Sequence, residues 1–151
     1  MKIGGKEIKS DYFEVIPVIR GEEEIIFKAQ PVGDYVEFDK LVKAPVPPKG
    51  LKPDNVTFND IENPAYIKQE EKYLQQRTDW MKLKSLEPSD IVWDTVNMSD
   101  PETFGNWEND LRKLKFTNYQ IMAIVNGIFK AQGLDSDKIE EAKKRFLASA
   151  Q

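Results

Sequence analysis

The chain contains neither cysteine nor histidine among its 151 residues. Without cysteine it has no disulfide framework and no thiolate for catalysis or metal binding. Without histidine it lacks the commonest general base and the commonest transition-metal ligand. An active site would have to be built from Asp, Glu, Lys and Tyr alone. We therefore expect a protein that is not an enzyme and that binds no cofactor and no metal.

Long apolar runs and an excess of basic residues are also missing. No apolar segment approaches the length that crosses a membrane, and the residues after Met1 are too charged for the core of a signal peptide. The net charge of −4 argues against a protein whose main task is binding nucleic acid. We expect a soluble, intracellular chain without membrane or nucleic-acid partners.

The first third of the chain is rich in β-branched and aromatic residues. Two such runs, Tyr12–Ile19 and Ile25–Val32, predict a β-hairpin, and Pro17 suggests an edge strand or a bulge. Because two strands alone are marginal in water, a sheet partner, a helix or another chain should cover this hairpin. Residues 2–9 could add a short strand, and residues 34–42 fit either a strand or a short helix.

A proline-rich segment follows the predicted hairpin. Residues 44–53 contain four prolines, which favour an extended, polyproline-like chain without regular structure. This segment is either a connector between the β and α parts of the chain or an arm that lies along a partner.

Helix signals dominate the remainder. Asn63 and Pro64 are a cap and a first residue for a long helix, which Glu87-Pro88 ends or bends. Residues 89–96 predict a short further helix with Ile91, Val92 and Val96 turned inward.

The last part of the chain predicts three more helices, whose ends are marked by residue type. Asp100-Pro101 begins the first of them, and a capping box at Thr117–Gln120 begins the second. Gly133 ends the second helix, and Gly127 inside it suggests a close approach to a neighbouring element. Asp135 caps the third, whose apolar residues are Ile139, Ala142, Phe146, Leu147 and Ala150.

These signals together predict an α+β fold. An N-terminal β-hairpin or small antiparallel sheet is followed by a Pro-rich connector and then by a mainly α-helical C-terminal bundle of four to five helices. The corresponding regions are a β-rich part at 1–43, the extended connector at 44–62 and a helical domain at 63–151.

Aromatic residues are the candidates for contact with a partner. One set recurs every seven residues along the long helix, and the other lies in a segment, residues 86–110, that has seven acidic residues and neither Lys nor Arg. The two sets are Tyr66, Tyr73 and Trp80, and Trp93, Phe104 and Trp107. Core packing is the favoured explanation of the first set, and a solvated face with carboxylates at helix N-termini is the favoured explanation of the second; contact with a partner is the alternative for both. The basic run Lys143–Arg145 fits a solvated helix face better than a nucleic-acid site.

The order of these features resembles a known family. The residues that carry the resemblance are Phe13–Pro17, Ile26–Ala29, Ala44–Pro48, Asn63–Tyr66, Arg77–Trp80, Leu83–Leu86, Asp100–Phe104, Trp107, Leu111, Ile121, Gly133–Asp135 and Glu141–Leu147. In this order they resemble the tail assembly chaperones, small proteins encoded near the tail genes of long-tailed bacteriophages.

The resemblance implies a non-enzymatic protein that acts in the host cytoplasm during virion assembly. Proteins of this family coat the tape-measure protein, keep it soluble and help to recruit tail-tube subunits. The partners implied are therefore the tape-measure and tail-tube proteins, and a homo-oligomer is compatible with the role. The alternative is a permanent virion subunit, such as a head–tail joining, tail or decoration protein, that clasps its neighbours with the hairpin and the Pro-rich arm.

Overall fold

The structure is a computed structural model and describes residues 1–149. Three two-stranded antiparallel sheets lie in this range: β1 (Lys2–Ile3) with β2 (Lys6–Glu7), β3 (Glu14–Arg20) with β4 (Glu23–Ala29), and β5 (Lys49–Leu51) with β6 (Thr57–Asn59). The α-helices of the same range are α1 (Val36–Leu41), α2 (Pro64–Ser85), α3 (Trp107–Lys113), α4 (Asn118–Ala131) and α5 (Ser136–Ser149). Residues Glu87–Ser89 and Pro101–Asn106 form 3₁₀ helices. The predicted α+β class is confirmed, with small sheets followed by a mainly helical C-terminal region.

The chain divides into two compact units, each built from segments that are distant in sequence. The first unit contains residues 1–32, residues 84–91 and the described residues from 116 onward. The second unit contains residues 33–83 and 92–115. Each unit thus combines segments from both sides of the region 44–62, which the sequence predicts as a connector.

In the first unit, helix α4 covers one face of the β3–β4 hairpin. The strands pair in register from Glu14 opposite Ala29 to Arg20 opposite Glu23. Alternate residues of the hairpin and the apolar face of α4 form the core of this unit, namely Ile16, Val18, Phe27, Ala29, Ile121, Ile124 and Ile128. A Cβ atom at Gly127 would overlap the side chain of Ile16. The close approach that the sequence predicts at Gly127 is therefore confirmed.

Both ends of α4 are closed as the sequence predicts. Thr117 and Gln120 form the reciprocal capping box, with each side chain bonded to the other residue's backbone N–H. At the other end Gly133 adopts a positive φ of 80°. The Gly133 and Leu134 N–H groups donate to the carbonyls of Lys130 and Phe129, which is the Schellman arrangement.

Polar groups close the outer edge of β4. The Ser89 hydroxyl accepts from the Lys28 N–H at 2.7 Å and donates to the Lys28 carbonyl at 2.8 Å. Two residues after Lys28, just beyond the end of β4, the Gln30 N–H donates to the Ser85 carbonyl, and the Ser85 hydroxyl donates to the Gln30 carbonyl. The Gln132 side chain also donates to the Gln30 carbonyl. These contacts satisfy backbone groups that an edge strand would otherwise leave open.

The second unit is centred on aromatic residues. The ring of Phe38, from α1, lies within 6 Å of the rings of Tyr73 and Trp80, both on α2. The Trp107 indole N–H donates to the buried Asp79 carboxylate at 3.0 Å, so the largest side chain of α3 is anchored on α2. Aromatic side chains each bury a large area and therefore dominate the energetics of such a core.

Asp110 organises the segment that precedes α3. Its carboxylate accepts from both the N–H and the hydroxyl of Thr95, at 2.9 and 2.6 Å. Burial alone would raise the pKa of Asp110, but the hydrogen bonds from Thr95 and the nearby charge of Lys113 outweigh it and lower the pKa. The residue thus acts as a structural acceptor that stays ionised near neutral pH.

Two local predictions are wrong. The sequence predicts no regular structure for residues 44–53, but Lys49–Leu51 form β5. This strand can form because the chain reverses at the Asp54-Asn55 turn and because Gly50 leaves room for the Phe58 ring. Residues 89–96 do not form the predicted helix. The 3₁₀ helix ends at Asp90, whose φ of 55° is left-handed, and Val92, expected to be buried, is 93% exposed.

Other segments refine the prediction. Residues 34–42, which fitted either a strand or a helix, contain α1, and residues 2–9 form the β1–β2 hairpin. Asp100 caps a 3₁₀ helix, which leads directly into α3. Ala150, expected on the apolar face of α5, lies outside the described residues.

Candidate interaction surface

The outer face of the β3–β4 hairpin, opposite α4, is apolar and exposed. Val15 is 52%, Ile19 59% and Ile26 42% exposed, and Pro17 on the same face is exposed as well. Pro17 lies directly opposite Ile26, while Val15 and Ile19 lie opposite Lys28 and Glu24. These four apolar residues form the outer face, which is flanked by the cation of Lys28 and the anion of Glu24.

This face differs from that of an ordinary hairpin packed on a core. An antiparallel sheet with one solvated face normally alternates apolar residues inward with polar residues outward. Here the inward residues, such as Ile16 and Val18, alternate with outward residues that are also apolar. Strands with apolar residues on both faces are typical of sheets covered on both sides. In the described chain only one of the two faces is covered.

The free edge of β3 is poorly suited to strand addition. Pro17, in the middle of the strand, has no N–H to donate, and the Ile19 carbonyl already accepts from the Gln120 side chain at 3.0 Å. The edge of β4 is occupied by Ser89. A partner would therefore contact this hairpin by packing on its outer face rather than by extending its sheet.

The aromatic residues proposed from the sequence are placed mainly in the core of the second unit. Trp80 is 3%, Phe104 0% and Trp107 4% exposed. Tyr66, Tyr73 and Trp93 are half-buried. Packing thus accounts for the three buried rings, which are not accessible to a partner in this structure. A role of the other three in partner contact stays a prediction.

Tyr73 retains one accessible side, at an open surface cleft on α2. The cleft is also lined by Lys43, Lys72 and Glu102. Lys72 and Glu102 form an ion pair of 2.8 Å, which lowers the pKa of the Glu102 carboxyl. The pair is well exposed on both sides, so it contributes little to stability.

Several of the seven acidic residues of the segment 86–110 have local partners. Glu87 and Asp90 belong to the first unit and the others to the second. Several are paired: Glu87 with Lys84, Glu102 with Lys72, and Glu108 with Arg112. Asp110 is buried and holds Thr95. The interpretation of these residues as helix-end carboxylates and local acceptors accounts for the observed contacts.

The described residues contain no arrangement that suggests metal or membrane chemistry. Among residues 1–149, no cluster of three or more His, Cys, Asp or Glu side chains is placed to hold a metal ion. Over the same range, no helix is both long and apolar enough to span a bilayer.

Sequence reasoning noted that the hairpin needs cover but did not identify which face stays open. The signal was present in β3, where Val15, Pro17 and Ile19 are as apolar as Ile16 and Val18 between them. This signal identifies the open face only together with α4, which covers the opposite one. No protein-family model matches the chain, and no curated protein or solved structure is significantly similar to it.

Proposed function

We propose that this protein is a tail assembly chaperone of a long-tailed bacteriophage. It acts in the host cytoplasm without catalysing a reaction, and it binds the tape-measure protein, or tail-tube subunits, during assembly. The observation that carries the proposal is the apolar outer face of a hairpin whose other face is already packed on a helix. The resemblance in the order of sequence features supports the same family.

The outer face has the dimensions that an amphipathic helix needs. Val15 and Ile19 are four residues apart on a strand, a distance of about 13 Å. Two turns of an α-helix rise about 11 Å, so apolar residues at i, i+4 and i+7 of a partner helix would lie over this stretch. A helix bound there would complete a helix–sheet–helix arrangement with α4 on the opposite side. A long helical protein with exposed apolar stripes is kept soluble by such cover.

Co-expression with the tape-measure protein of the same phage tests the proposal. The two proteins should co-purify as a soluble complex, and Ile19→Glu should abolish or strongly weaken that complex, because it places a charge within the apolar contact. Met122→Glu is a matched control, since Met122 is 59% exposed on α4 and is not part of the outer face. If the proteins stay apart, or if both variants bind equally well, the proposal is wrong.

The alternative is a permanent virion subunit, which the β5–β6 hairpin favours. Several apolar residues in and around this hairpin are exposed, including Val46 at 80%, Leu51 at 66% and Ile61 at 63%. A segment of this kind could clasp a neighbouring subunit. Mass spectrometry of purified particles separates the two functions: a chaperone is absent from them, whereas a structural subunit is present in many copies.

A further inference from the structure

Helix α5 is a second exposed surface. Its residues Ile139 and Ala142 line an open cleft with Tyr12, Glu14 and Lys130 but are not buried there. All its described residues are exposed, including Ile139 at 43% and Phe146 at 71%. A helix of 14 residues is only marginally stable in water without tertiary packing, because isolated helices of about 12–15 residues or fewer are largely unfolded there. Its apolar residues therefore call for cover by another surface.

The charges beside the α5 stripe are all basic. Ile139, Ala142 and Phe146 fall on one line along the helix, at the spacing i, i+3 and i+7. At about 100° per residue, Lys143 lies on one side of this line and Lys138 and Arg145 on the other. The acidic residues Glu140 and Glu141 lie further round the helix. The Glu140 carboxylate reaches Lys143 at 3.7 Å in an ion pair that is exposed on both sides, and such pairs contribute little. A partner with a matching apolar stripe and acidic flanks would complement this face.

The amino-terminal half of α2 carries such a stripe. Ile67 is 41% and Leu74 49% exposed, and their separation of seven residues equals that of Ile139 and Phe146 on α5. Glu70 and Glu71 lie between them in sequence and, by the helical period, on opposite sides of the Ile67–Leu74 line.

The other charged groups near this stripe are turned elsewhere. By the helical period Lys68 and Lys72 lie further round the helix, where Lys72 pairs with Glu102 at 2.8 Å. The Arg77 guanidinium is stacked 3.8 Å from the Tyr35 ring. The α2 stripe is therefore acidic at its flanks, where the α5 stripe is basic.

We propose that α5 of one molecule packs on the amino-terminal half of α2 of a second copy of this chain. Lys143 and Arg145 would face Glu70 and Glu71 across a contact formed by the two apolar stripes. Pairing of α5 with α5 of another copy is disfavoured, because both helices would present basic flanks. Because each copy offers one surface of each kind, the contact is heterologous, and it joins successive copies into rings or open chains. The inference concerns the protein alone and does not depend on the proposed function.

Charge reversal on each side tests the contact by sedimentation velocity and light scattering. The wild-type protein should self-associate in a concentration-dependent manner. Lys143→Glu/Arg145→Glu and, separately, Glu70→Lys/Glu71→Lys should each weaken self-association by about tenfold or more, because like charges then meet across the contact. Lys6→Glu/Lys9→Glu is the control for net charge: these two lysines are exposed and lie outside both helices, so its self-association should match that of the wild type.

Mixing the two reversed variants provides the decisive measurement. Each variant alone has two like-charged surfaces, but the acidic α5 of one fits the basic α2 of the other, so association should return in the mixture. The four-fold variant with both reversals should also associate. Far-UV circular dichroism checks that each variant is folded. A wild-type protein that stays monomeric at every concentration, or a mixture that fails to associate, would overturn the proposal.

Discussion

Replacing Gly127 with alanine should destabilise the protein, although alanine is the better helix former. In an exposed helix this substitution stabilises by about 1 kcal/mol. At Gly127 the added methyl group would instead occupy space held by two side-chain atoms of Ile16. Because Ile16 is only 6% exposed, it has little room to move away.

The magnitude follows from these two opposing effects. Overpacking a tight core costs about 1–3 kcal/mol, and the involvement of two Ile16 atoms places this site in the upper half of that range. After subtraction of the propensity gain, the free energy of unfolding should fall by about 1–2 kcal/mol. For a chain of this size that corresponds to a melting temperature about 3–6 °C lower.

Urea unfolding followed by circular dichroism at the helix band measures this change. Asn126→Ala, at the exposed neighbouring position on α4, is the control and should raise stability by roughly half a kcal/mol. Ile16→Ala alone should cost about 3 kcal/mol. The double variant Ile16→Ala/Gly127→Ala should lose about 2 kcal/mol less stability than the sum of the two single losses. The reason is that the new methyl group at position 127 fills part of the cavity left at position 16.

A stability gain for Gly127→Ala similar to that at an exposed glycine would refute the close approach of α4 to β3. Additive costs in the double variant would refute the specific contact with Ile16 and would place the strain elsewhere in the core of the first unit.

Two further predictions concern the polar contacts. Asp110→Asn should lower the free energy of unfolding by about 1–2 kcal/mol at neutral pH, because an amide accepts only one of the two Thr95 hydrogen bonds. Since the folded protein lowers the pKa of Asp110, its contribution is present above the unfolded pKa of about 3.9 and is lost as the pH falls through the lower folded value. Urea titrations between neutral pH and pH 3 should therefore show the difference between wild type and variant shrinking on acidification. Ser89→Ala leaves the Lys28 N–H and carbonyl without the hydroxyl that bonds both, and it should lower the free energy of unfolding by about 1–3 kcal/mol. Hydrogen exchange at the Lys28 amide should accelerate. An unchanged exchange rate would contradict this role of Ser89.

Local signals in the sequence were sufficient for the elements whose stability is local. The capping box at Thr117 and Gln120, the stop at Gly133 and the hairpin all depend on residues close in sequence, and all are present. Gly127 was informative because a glycine inside a helix lowers its stability unless a close contact compensates. Such features can be predicted because their physical cause lies within a few residues of their effect.

The contacts that were missed depend on residues distant in sequence. Ser89 bonds Lys28, which is 61 positions away in sequence, and Trp107 bonds Asp79, which is 28 positions away. No periodicity marks either pair. The helix expected at residues 89–96 failed for a related reason, since Asp90 takes a left-handed conformation and the chain beyond it is fixed by Thr95 on Asp110. In this segment tertiary hydrogen bonds outweigh the local preference for a helix and determine the backbone conformation.

A protein with an exposed apolar hairpin face must avoid joining its strands to those of other copies. Here the risk is reduced at both edges, because Pro17 removes a donor from β3 and the Ser89 hydroxyl occupies the N–H and carbonyl of Lys28 on β4. The outer face can therefore stay apolar while the backbone offers little for strand addition. A partner of the proposed kind would then bind through the shape and polarity of side chains rather than by main-chain pairing, which favours a helical partner over an extended one. The same hairpin that needs α4 for its own stability is thereby left with one face open and with fewer backbone groups available at each edge.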